Sequence, residues 1–388
     1  MKPLSTATIE VTNSPIREMF NLALAMDDVV SFTVGEPDFL TPSHVVDAAV
    51  KALQNGEHRY TPNAGILPLR QAICKNYEKN QGVAYDPEKE VIVTAGGMEA
   101  LFLAMRVLLD PDDEILLPDP CWTNYSRQLL LCNAKPAFVP VSAENDFQFT
   151  PEALEAAITP KTKAFLINSP ANPTGGIAAE EQIKKLAEIA IKHDLYVISD
   201  EVYSQLVFDG GKATSIATLP GMRERTIIIH SFSKTYAMTG WRVGYAIGPN
   251  EVIRNMIKFQ ENVAACVNSA AQFGAIAALE SGQECVNMMR ESYERRRALI
   301  TSEFETVPGL KCHYPKGAFY AMIDVSATGM TGKEFALDLL DKNHVIVVPG
   351  NAFGEAGKNY VRISFATSDE NIKKGVGRIR DYMIARQG

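Results

Sequence analysis

The sequence predicts an α/β fold, in which a mostly parallel seven-stranded sheet lies between helices, together with a smaller α+β domain. The first observation is an alternation of short apolar runs and helical segments from about residue 45 to residue 248. Runs this apolar and uninterrupted are typical of strands buried on both faces, as in parallel sheets covered by helices. The second observation is a change of pattern beyond that point, where short strands alternate with charged helices. At 388 residues the chain is long enough for two domains.

Seven apolar runs account for the predicted sheet, at residues 91–94, 115–117, 137–139, 164–167, 196–198, 226–229 and 243–247. Two segments between them, 98–109 and 180–193, carry apolar residues at helical spacing. In the second segment, Ile183, Leu186, Ile189 and Ala190 fall on one face, which indicates an amphipathic helix. These helices are expected to cover the sheet.

The C-terminal part has a different organisation. Residues 251–279 predict one long helix, broken near Val267, and residues 284–304 predict a charged amphipathic helix that suits a bridge between domains. Short strands at 319–323, 345–348 and 360–365 then alternate with helices at 332–342 and 369–385. The first forty or so residues are too irregular to form a core of their own. We therefore expect a large domain at residues 45–280, and a small domain formed by residues 1–44 and 281–388.

Charge and composition exclude several classes of partner. The formal net charge of −8 argues against nucleic acid or an anionic membrane, since either favours a positive protein surface. None of the six cysteines lies at a spacing typical of a metal site or a redox pair, so no metal is expected. The sequence shows neither the apolar start of a signal peptide nor a run long enough to span a bilayer. We expect a cytoplasmic protein.

Glycine-rich or polar loops follow several of the predicted strands. In chain order they contain Gly96-Gly97, Trp122, Asn172, Asp200 and Lys234. Because ligands bind beyond the carboxyl ends of parallel strands, these loops are expected to converge on one crevice. Each feature alone has a plainer explanation: a glycine pair is usually a tight turn, an aspartate often caps a helix, and a lone lysine usually lies at the surface. Their joint occurrence favours a single functional site.

Residues 231–245 read Ser-Phe-Ser-Lys-Thr-Tyr-Ala-Met-Thr-Gly-Trp-Arg-Val-Gly-Tyr. This run resembles the Schiff-base signature of class I aminotransferases, which are fold-type I enzymes that use pyridoxal 5′-phosphate (PLP). Residues 172–175, 200–203 and 349–364 resemble further motifs of that family, and residues 35–38 and 59–65 resemble its N-terminal ones. The resemblance covers essentially the whole chain and is nearest to the bacterial aspartate/aromatic aminotransferase branch. It implies a PLP-dependent transfer of an amino group between an L-amino acid and a 2-oxo acid such as 2-oxoglutarate.

The resemblance also implies catalytic roles. Lys234 would hold PLP through its amine and then move a proton from the substrate α-carbon, because a partly desolvated lysine in a cationic neighbourhood loses its proton readily. Asp200 would pair with the ring nitrogen of PLP and favour its protonated form. Tyr203 and Asn172 would bind the phenolic oxygen, and Trp122 would stack on the ring.

A phosphate site is implied as well. Backbone N–H groups at the start of a helix bind phosphate, and Gly97 and Met98 open the predicted helix. Further phosphate contacts match Ser231, Ser233, Arg242 and Tyr60. Tyr60 corresponds to a contact that the neighbouring subunit donates, so the resemblance implies a homodimer with a shared active site.

Substrate binding is implied at four positions. Arg362 matches the arginine that binds the α-carboxylate, Gly35 lies where the backbone approaches the substrate, and Trp122 and Asn172 line the same place. Met98 departs from the family pattern, since members specific for dicarboxylates commonly carry a lysine there. The change leaves room for apolar or aromatic substrates, although a helix-start residue facing the core is an equal explanation.

Two other functions stay open. A PLP lyase of the same fold, such as a carbon–sulfur β-lyase or a cyclising synthase, would share these motifs, because one scaffold hosts several reactions. Such an enzyme would release pyruvate and ammonia without a 2-oxo acid acceptor. A PLP-sensing transcription regulator would need a DNA-binding module, and the sequence before Gly35 offers no room for one.

Overall fold

A computed structural model of the protein describes residues 2, 4–5, 7–11, 18–19, 21–22 and 26–387. The strands are β1 (Val30–Ser31), β2 (Val91–Thr94), β3 (Glu114–Asp119), β4 (Lys135–Pro140), β5 (Thr162–Asn168), β6 (Tyr196–Asp200), β7 (Thr226–Ser231), β8 (Gly244–Ile247), β9 (Lys311–Cys312), β10 (Tyr320–Asp324), β11 (Val345–Ile346), β12 (Val348–Pro349) and β13 (Tyr360–Ser364). The helices are α1 (Ala7–Glu10), α2 (Ser43–Gln54), α3 (Leu67–Gln81), α4 (Gly97–Leu108), α5 (Asn124–Leu131), α6 (Pro151–Ala156), α7 (Glu180–Lys192), α8 (Phe232–Thr235), α9 (Asn250–Val263), α10 (Ser269–Glu280), α11 (Glu284–Glu305), α12 (Gly332–Asn343) and α13 (Asp369–Gln387).

Strands β2 to β8 form one seven-stranded sheet in the order β2-β8-β7-β6-β5-β3-β4. The pairs from β4 to β7 are parallel, whereas β8 runs antiparallel to both of its neighbours. Every residue of β2, β7 and β8 is buried, and the edge strand β4 leaves Lys135, Phe138 and Pro140 exposed. The predicted α/β fold with a mostly parallel seven-stranded sheet is confirmed.

Helices cover both faces of this sheet, because neighbouring residues of a strand point to opposite sides. Ile92 of β2 packs in one cluster with Leu101 of α4 and Met256 of α9. Its neighbour Val93 packs in a second cluster with Ile73 of α3. Burying an aliphatic side chain of this size contributes about 1.5–3 kcal/mol. The two layers therefore hold the strands, and the loops at their ends, in fixed positions.

The C-terminal part contains a second sheet, which is antiparallel and has the order β12-β13-β10-β9. Val30 and Ser31 of β1 pair in parallel with Val345 and Ile346 of β11. One buried cluster joins these strands to α11, α12 and α13. The N-terminal segment thus lies against the C-terminal part, and the division into domains at residues 45–280 and at 1–44 with 281–388 stays a prediction.

The structure refines two of the predicted elements. The segment predicted as one helix over residues 251–279 forms α9 and α10, and the predicted break near Val267 lies between them. Asn268 caps the N-terminus of α10, since its side chain accepts a 2.9 Å hydrogen bond from the N–H of Ala271. The strand predicted at 345–348 is two strands, because β11 pairs with β1 and β12 pairs with β13. Among the described residues, no helix combines the length and the apolarity needed to cross a membrane.

Candidate active site

A cavity of about 290 Å³ lies beside Asn168, Asp200 and Ser231, the last residues of β5, β6 and β7. The strand-end loops therefore meet at one place. The predicted site residues that line the cavity are Gly35, Gly97, Met98, Trp122, Asn172, Asp200, Tyr203, Ser231, Ser233, Lys234, Arg242 and Arg362. Their individual roles stay predictions.

Asp200 ends β6 and is buried at the inner side of the cavity. Its Oδ2 accepts a 2.6 Å hydrogen bond from the Tyr125 hydroxyl, and its Oδ1 accepts a 3.3 Å bond from the N–H of Val202. Burial raises the pKa of Asp200 to about 6, against the lowering effects of the two hydrogen bonds and of the nearby Lys234. The carboxylate oxygens have further lone pairs and can accept a proton donor from the cavity.

Lys234 lies in α8, the short helix that directly follows β7. Its Nζ donates a 2.6 Å hydrogen bond to the carbonyl oxygen of Gly35. Burial lowers the pKa of Lys234 to about 8, and the positive charges of Arg242 and Arg362 act in the same direction, whereas Glu36 opposes them. The amine can therefore exist in its neutral, nucleophilic form near physiological pH.

The N-terminus of α4 provides an anion-binding corner. Gly96, which precedes α4, has a φ of +79°, and a Cβ added there would lie 2.6 Å from Nη2 of Arg242. The guanidinium of Arg242 is held over this turn by bonds to the carbonyl oxygens of Ala95 (3.3 Å) and Thr239 (3.0 Å). A helix N-terminus beside a cation is suited to a phosphate group.

Two serines lie at the same corner of the cavity. The Ser231 hydroxyl donates a 2.9 Å hydrogen bond to the Ser233 hydroxyl, and it accepts a 3.1 Å bond from the Ser233 N–H. The Ser233 hydroxyl keeps its own proton for a further acceptor. This corner therefore offers hydroxyl donors next to the backbone donors of α4.

Arg362 provides a second cationic position. It lies in β13 and is only 2% exposed. Its Nη1 donates to Oδ1 of Asn172 (3.1 Å) and its Nη2 to the carbonyl oxygen of Thr33 (2.8 Å). The guanidinium packs on the rings of Tyr320 and Phe353, at 4.5 and 4.9 Å from their centroids. A buried guanidinium facing a cavity fits a carboxylate ligand.

Met98 and Trp122 form part of the apolar lining. Met98 is half-buried and lines the cavity, and its sulfur accepts a 3.4 Å hydrogen bond from the side-chain amide of Asn124. The Trp122 ring meets the ring of Tyr125 edge to face, at 5.4 Å between centroids. The charged residues that line the cavity are Asp200, Lys234, Arg242 and Arg362. Among the described residues, the lysine and arginine side chains that line the cavity are Lys234, Arg242 and Arg362, and position 98 adds no further cation.

Six further residues line the cavity that sequence reasoning did not single out: Thr33, Leu101, Tyr125, Asn168, Val202 and Tyr320. Asn168 could have been found, because it ends β5 in register with Asp200 and lies just before the 172–175 motif. Its side chain accepts from the N–H of Asn172 (2.8 Å) and donates to the carbonyl of Asp200 (2.9 Å). Tyr125 and Tyr320 gave no local signal, since only tertiary packing brings them to the site.

Tyr60 lies away from the cavity. Its side chain is 89% exposed and borders an open concavity with His58, Arg59 and residues 266–269. The sequence interpretation assigned Tyr60 to the site of a neighbouring subunit, so a position outside the cavity of its own chain agrees with that assignment. The role of Tyr60 stays a prediction.

Comparisons with known proteins give the family context for this site. The family model described as "Aminotransferase class I and II" matches residues 27–379. Aromatic-amino-acid aminotransferase 2 of Thermococcus litoralis is 41% identical over 378 residues, which is 97% of each chain. The aspartate aminotransferase of Pyrococcus abyssi is 42% identical over 375 residues, which is 96% of each chain. The crystal structure of the aspartate aminotransferase from Rhizobium meliloti matches with a TM-score of 0.96 at 35% identity, covering 100% of both chains.

Proposed function

The chain belongs to the class I and II aminotransferase family, and from that membership we propose that it binds PLP in the cavity at Lys234 and exchanges amino groups between an L-amino acid and a 2-oxo acid there. It is an aminotransferase similar to aspartate and aromatic aminotransferases. The relatives give no support to the carbon–sulfur lyase alternative. The observation that carries the proposal is the meeting of Lys234, Asp200 and Arg362 in one cavity.

The donors and acceptors around the cavity fit PLP. PLP has an anionic phosphate, a basic ring nitrogen and an aldehyde, and the cavity offers a different group for each. The helix start at Gly97 with Arg242 suits the phosphate, buried Asp200 suits a protonated nitrogen, and the Lys234 amine suits the aldehyde. Because Gly96 has no Cβ, the Arg242 guanidinium can lie against the helix start, where a Cβ would be only 2.6 Å from Nη2.

When bound, PLP supplies an aldehyde that takes up the amino group and a ring that stabilises negative charge at the substrate α-carbon. The part of this chain is to hold that group and to move protons. Lys234 would hold the cofactor through its amine, and the neutral amine could accept the proton of the substrate α-carbon at Nζ. Burial lowers the pKa of this amine to about 8, so a larger share of it is neutral at physiological pH than for an exposed lysine.

Asp200 would favour the protonated form of the ring nitrogen of bound PLP. Its carboxylate is ionised at neutral pH even though burial raises its pKa to about 6. Tyr125 donates to Oδ2 and thereby turns the carboxylate to one orientation. Tyr203 and Asn172 line the cavity with a hydroxyl and an amide that suit the phenolic oxygen, and the Trp122 ring provides an aromatic face.

Phosphate binding is proposed for the corner at α4. The N–H groups of Gly97 and Met98 at the helix start, the hydroxyls of Ser231 and Ser233, and the Arg242 guanidinium would supply the donors. Binding the phosphate would fix the position of the PLP aldehyde relative to Lys234. This positioning is the main contribution of such a phosphate site.

Substrate binding is proposed for Arg362 with Asn172. Asn172 already accepts from one Nη group of Arg362, and the second Nη is fixed by the carbonyl of Thr33. A guanidinium held in this way can bind an α-carboxylate in one orientation. Gly35 lies beside the same place and would let the substrate approach the backbone closely.

The amino donor is proposed to be aromatic or otherwise apolar in preference to a dicarboxylate. Among the residues that the structure describes, three cations line the cavity, and each is assigned: Lys234 and Arg242 to PLP, and Arg362 to the α-carboxylate. The place where dicarboxylate-specific relatives of the family carry a lysine is held by Met98, whose thioether is part of an apolar lining. A distal carboxylate buried there without a partner would be strongly disfavoured.

A homodimer with a shared active site is proposed for the working enzyme. Tyr60 is 89% exposed, and α2 carries Val46, Val50 and Leu53 at 38%, 45% and 50% exposure on one face, at positions i, i+4 and i+7. A helix face of this kind is suited to burial against a second copy of the chain. Tyr60 would then reach the phosphate corner of that copy.

The proposed function is tested by visible absorbance of the PLP-loaded protein. Single amino acids are added without a 2-oxo acid, using aspartate, glutamate, alanine, phenylalanine, tyrosine and methionine. A donor should remove the visible band of the cofactor, and a 2-oxo acid should restore it. Release of pyruvate and ammonia with the band unchanged would refute the proposal in favour of a lyase.

A second experiment locates the cofactor. Borohydride reduction followed by peptide mass analysis should place a phosphopyridoxyl group on Lys234. The exposed Lys358 serves as a control, since Lys358→Ala should leave the label in place while Lys234→Ala removes it. A label on any other lysine would refute the assignment of Lys234.

A further inference from the structure

Tyr320 is a buried residue that touches three predicted site residues from three different segments of the chain. Its hydroxyl lies 3.0 Å from the hydroxyl of Tyr203, and the two rings meet edge to face at 5.9 Å between centroids. Its ring face carries the guanidinium of Arg362 at 4.5 Å. Its hydroxyl also lies against Gly35, where an added Cβ would be only 2.8 Å from the oxygen.

The backbone around Tyr320 holds the ring in one position. Tyr320 begins β10 and pairs with Ser364 of β13, in a register that sets Met322 beside Arg362. Its neighbour Phe319 accepts a 3.0 Å hydrogen bond from the N–H of Phe365. Tyr320 itself is 1% exposed. Strand pairing fixes the backbone of Tyr320, and close packing leaves its buried ring little freedom to change position.

The bond to Tyr203 has a chemical consequence. A phenolic hydroxyl has one proton to donate and lone pairs to accept with. If the Tyr203 proton goes to a group in the cavity, its oxygen is free to accept the proton of Tyr320. In the arrangement in which Tyr203 donates into the cavity, the Tyr320 hydroxyl can donate to the Tyr203 oxygen, and this 3.0 Å contact would stabilise that orientation. Burial raises the pKa of both hydroxyls, so both keep their protons.

The contact with Arg362 has a separate consequence. The Nε of Arg362 has no hydrogen-bond partner among the residues that the structure describes. The guanidinium lies between the rings of Tyr320 and Phe353, and the negative faces of aromatic rings partly replace lost hydration of a buried cation. The Tyr320 ring, as distinct from its hydroxyl, therefore fixes the plane in which Arg362 meets a carboxylate.

We propose that Tyr320 is a positioning residue with two separable actions: its hydroxyl orients Tyr203, and its ring orients Arg362. The inference rests on the proposed function, since it assigns Tyr203 to the cofactor and Arg362 to the substrate. Because the two actions belong to different atoms, different substitutions should affect different measurements.

The experiment compares Tyr320→Phe with Tyr320→Leu in the PLP-loaded enzyme. Tyr320→Phe removes only the hydroxyl, so we expect kcat to fall about three- to tenfold, the value of one hydrogen bond, while KM for the amino donor stays within about twofold. Tyr320→Leu also removes the ring and should raise KM about tenfold. A purely structural role would not produce this split between kcat and KM.

A spectroscopic readout is independent of turnover. The pH midpoint of the visible band, recorded without substrate, should shift in Tyr320→Phe in the same direction as in Tyr203→Phe, and by less. In the double variant the midpoint and kcat should equal those of Tyr203→Phe alone, because the Tyr320 hydroxyl acts through Tyr203. Tyr382→Phe is the control: it removes the hydroxyl of another buried tyrosine, which donates to Asp338 at 2.6 Å, and should change neither readout.

The outcomes separate this inference from the proposed function. If wild-type protein responds to amino donors but Tyr320→Phe matches it in midpoint and kcat, the inference is wrong and the function stands. Additive effects in the double variant would also overturn it. If wild-type protein shows no absorbance response to any donor, the proposed function fails and the inference fails with it.

Discussion

The hydroxyl of Tyr125 donates a 2.6 Å hydrogen bond to Oδ2 of Asp200, although the two residues are 75 positions apart in the chain. Tyr125 lies on α5 and Asp200 ends β6, so a helix at the carboxyl edge of the sheet sets the orientation of the carboxylate. The carboxylate is buried, and the cation that acts on it in the cavity is Lys234, whose own pKa is lowered. An uncompensated buried charge of this kind is costly until a protonated partner binds.

In the cofactor-free protein, we expect Asp200→Asn to raise the free energy of unfolding at pH 7 by about 1–3 kcal/mol. Burial raises the pKa of Asp200 to about 6 from an ordinary 3.8. The folded state therefore binds this proton more tightly than the unfolded state. As pH rises from 3.8 to about 6, ionisation of the buried carboxylate lowers the free energy of unfolding. Urea denaturation should show this gain in the free energy of unfolding at pH 7, and most of the gain should be absent at pH 4. An equal gain at both values would mean that charge is not the cause.

The same substitution should have the opposite effect once PLP is bound. Removing one partner of a buried ion pair costs about 3–5 kcal/mol, which corresponds to at least a hundredfold weaker binding. We therefore expect Asp200→Asn to weaken PLP affinity by at least about a hundredfold in an absorbance titration. Unchanged affinity would contradict the pairing of Asp200 with the ring nitrogen.

Substrate preference should change with Met98. We expect Met98→Lys to raise kcat/KM for aspartate relative to phenylalanine by at least about tenfold, because a charge-assisted hydrogen bond contributes about 1.5–3 kcal/mol. Met98→Gln is the matched control, since it has similar length but no charge, and it should not favour aspartate. If wild-type enzyme already prefers aspartate, the assignment of Met98 to an apolar subsite is wrong.

The parts of the fold and site that could be predicted are those with a local signal. The apolar runs predicted β2 to β8, and the strand-end rule predicted that Asn172, Asp200 and Lys234 would meet. The contact of Tyr203 with Tyr320 spans 117 positions and depends on how two sheets pack, so no local pattern marks it. The split of residues 345–348 into two strands has the same origin, since it follows from their different pairing partners.

The free energy of unfolding should depend on the contact between Arg296 and the segment that follows Gly35. Arg296 of α11 donates a 2.7 Å hydrogen bond to Oδ1 of Asp38 and stacks over Phe39, and it is 8% exposed. We expect Arg296→Gln to lower the free energy of unfolding by about 1–3 kcal/mol, because it leaves Asp38 without its partner and removes packing. Since Gly35 lies at the cavity, KM for the amino donor should also rise.

Arg295 is the matched control for Arg296. It is the preceding residue on α11. Both arginines face Asp369, at 3.5 Å from Nε of Arg296 and 3.6 Å from Nε of Arg295, but the Arg295 side chain is 63% exposed. Arg295→Gln should change stability by less than about 0.5 kcal/mol, as is usual for an exposed pair. Urea denaturation of both variants measures the difference. Equal effects would show that net charge, and not the contact with Asp38, is responsible.

The shared active site can be tested with mixed dimers. Lys234→Ala removes the proposed proton carrier, and Tyr60→Phe removes a proposed phosphate contact that the other chain would use. Co-expression with two affinity tags isolates a dimer that carries one variant in each chain. If Tyr60 serves the neighbouring chain, the site with Lys234 intact draws its Tyr60 from the Lys234→Ala chain and is complete.

We therefore expect the mixed dimer to have about half of the wild-type activity at low PLP concentration, because one of its two sites is intact. The Tyr60→Phe homodimer should need more PLP to reach the same activity, since it lacks the contact in both sites. If Tyr60 served its own chain, the only site with Lys234 would carry Tyr60→Phe, and the mixed dimer would show the weakened PLP dependence of that homodimer. Half of the wild-type activity with a normal PLP dependence thus requires that the exposed Tyr60 side chain reaches the active site of the partner chain. A catalytically active monomer in sedimentation would exclude a shared active site.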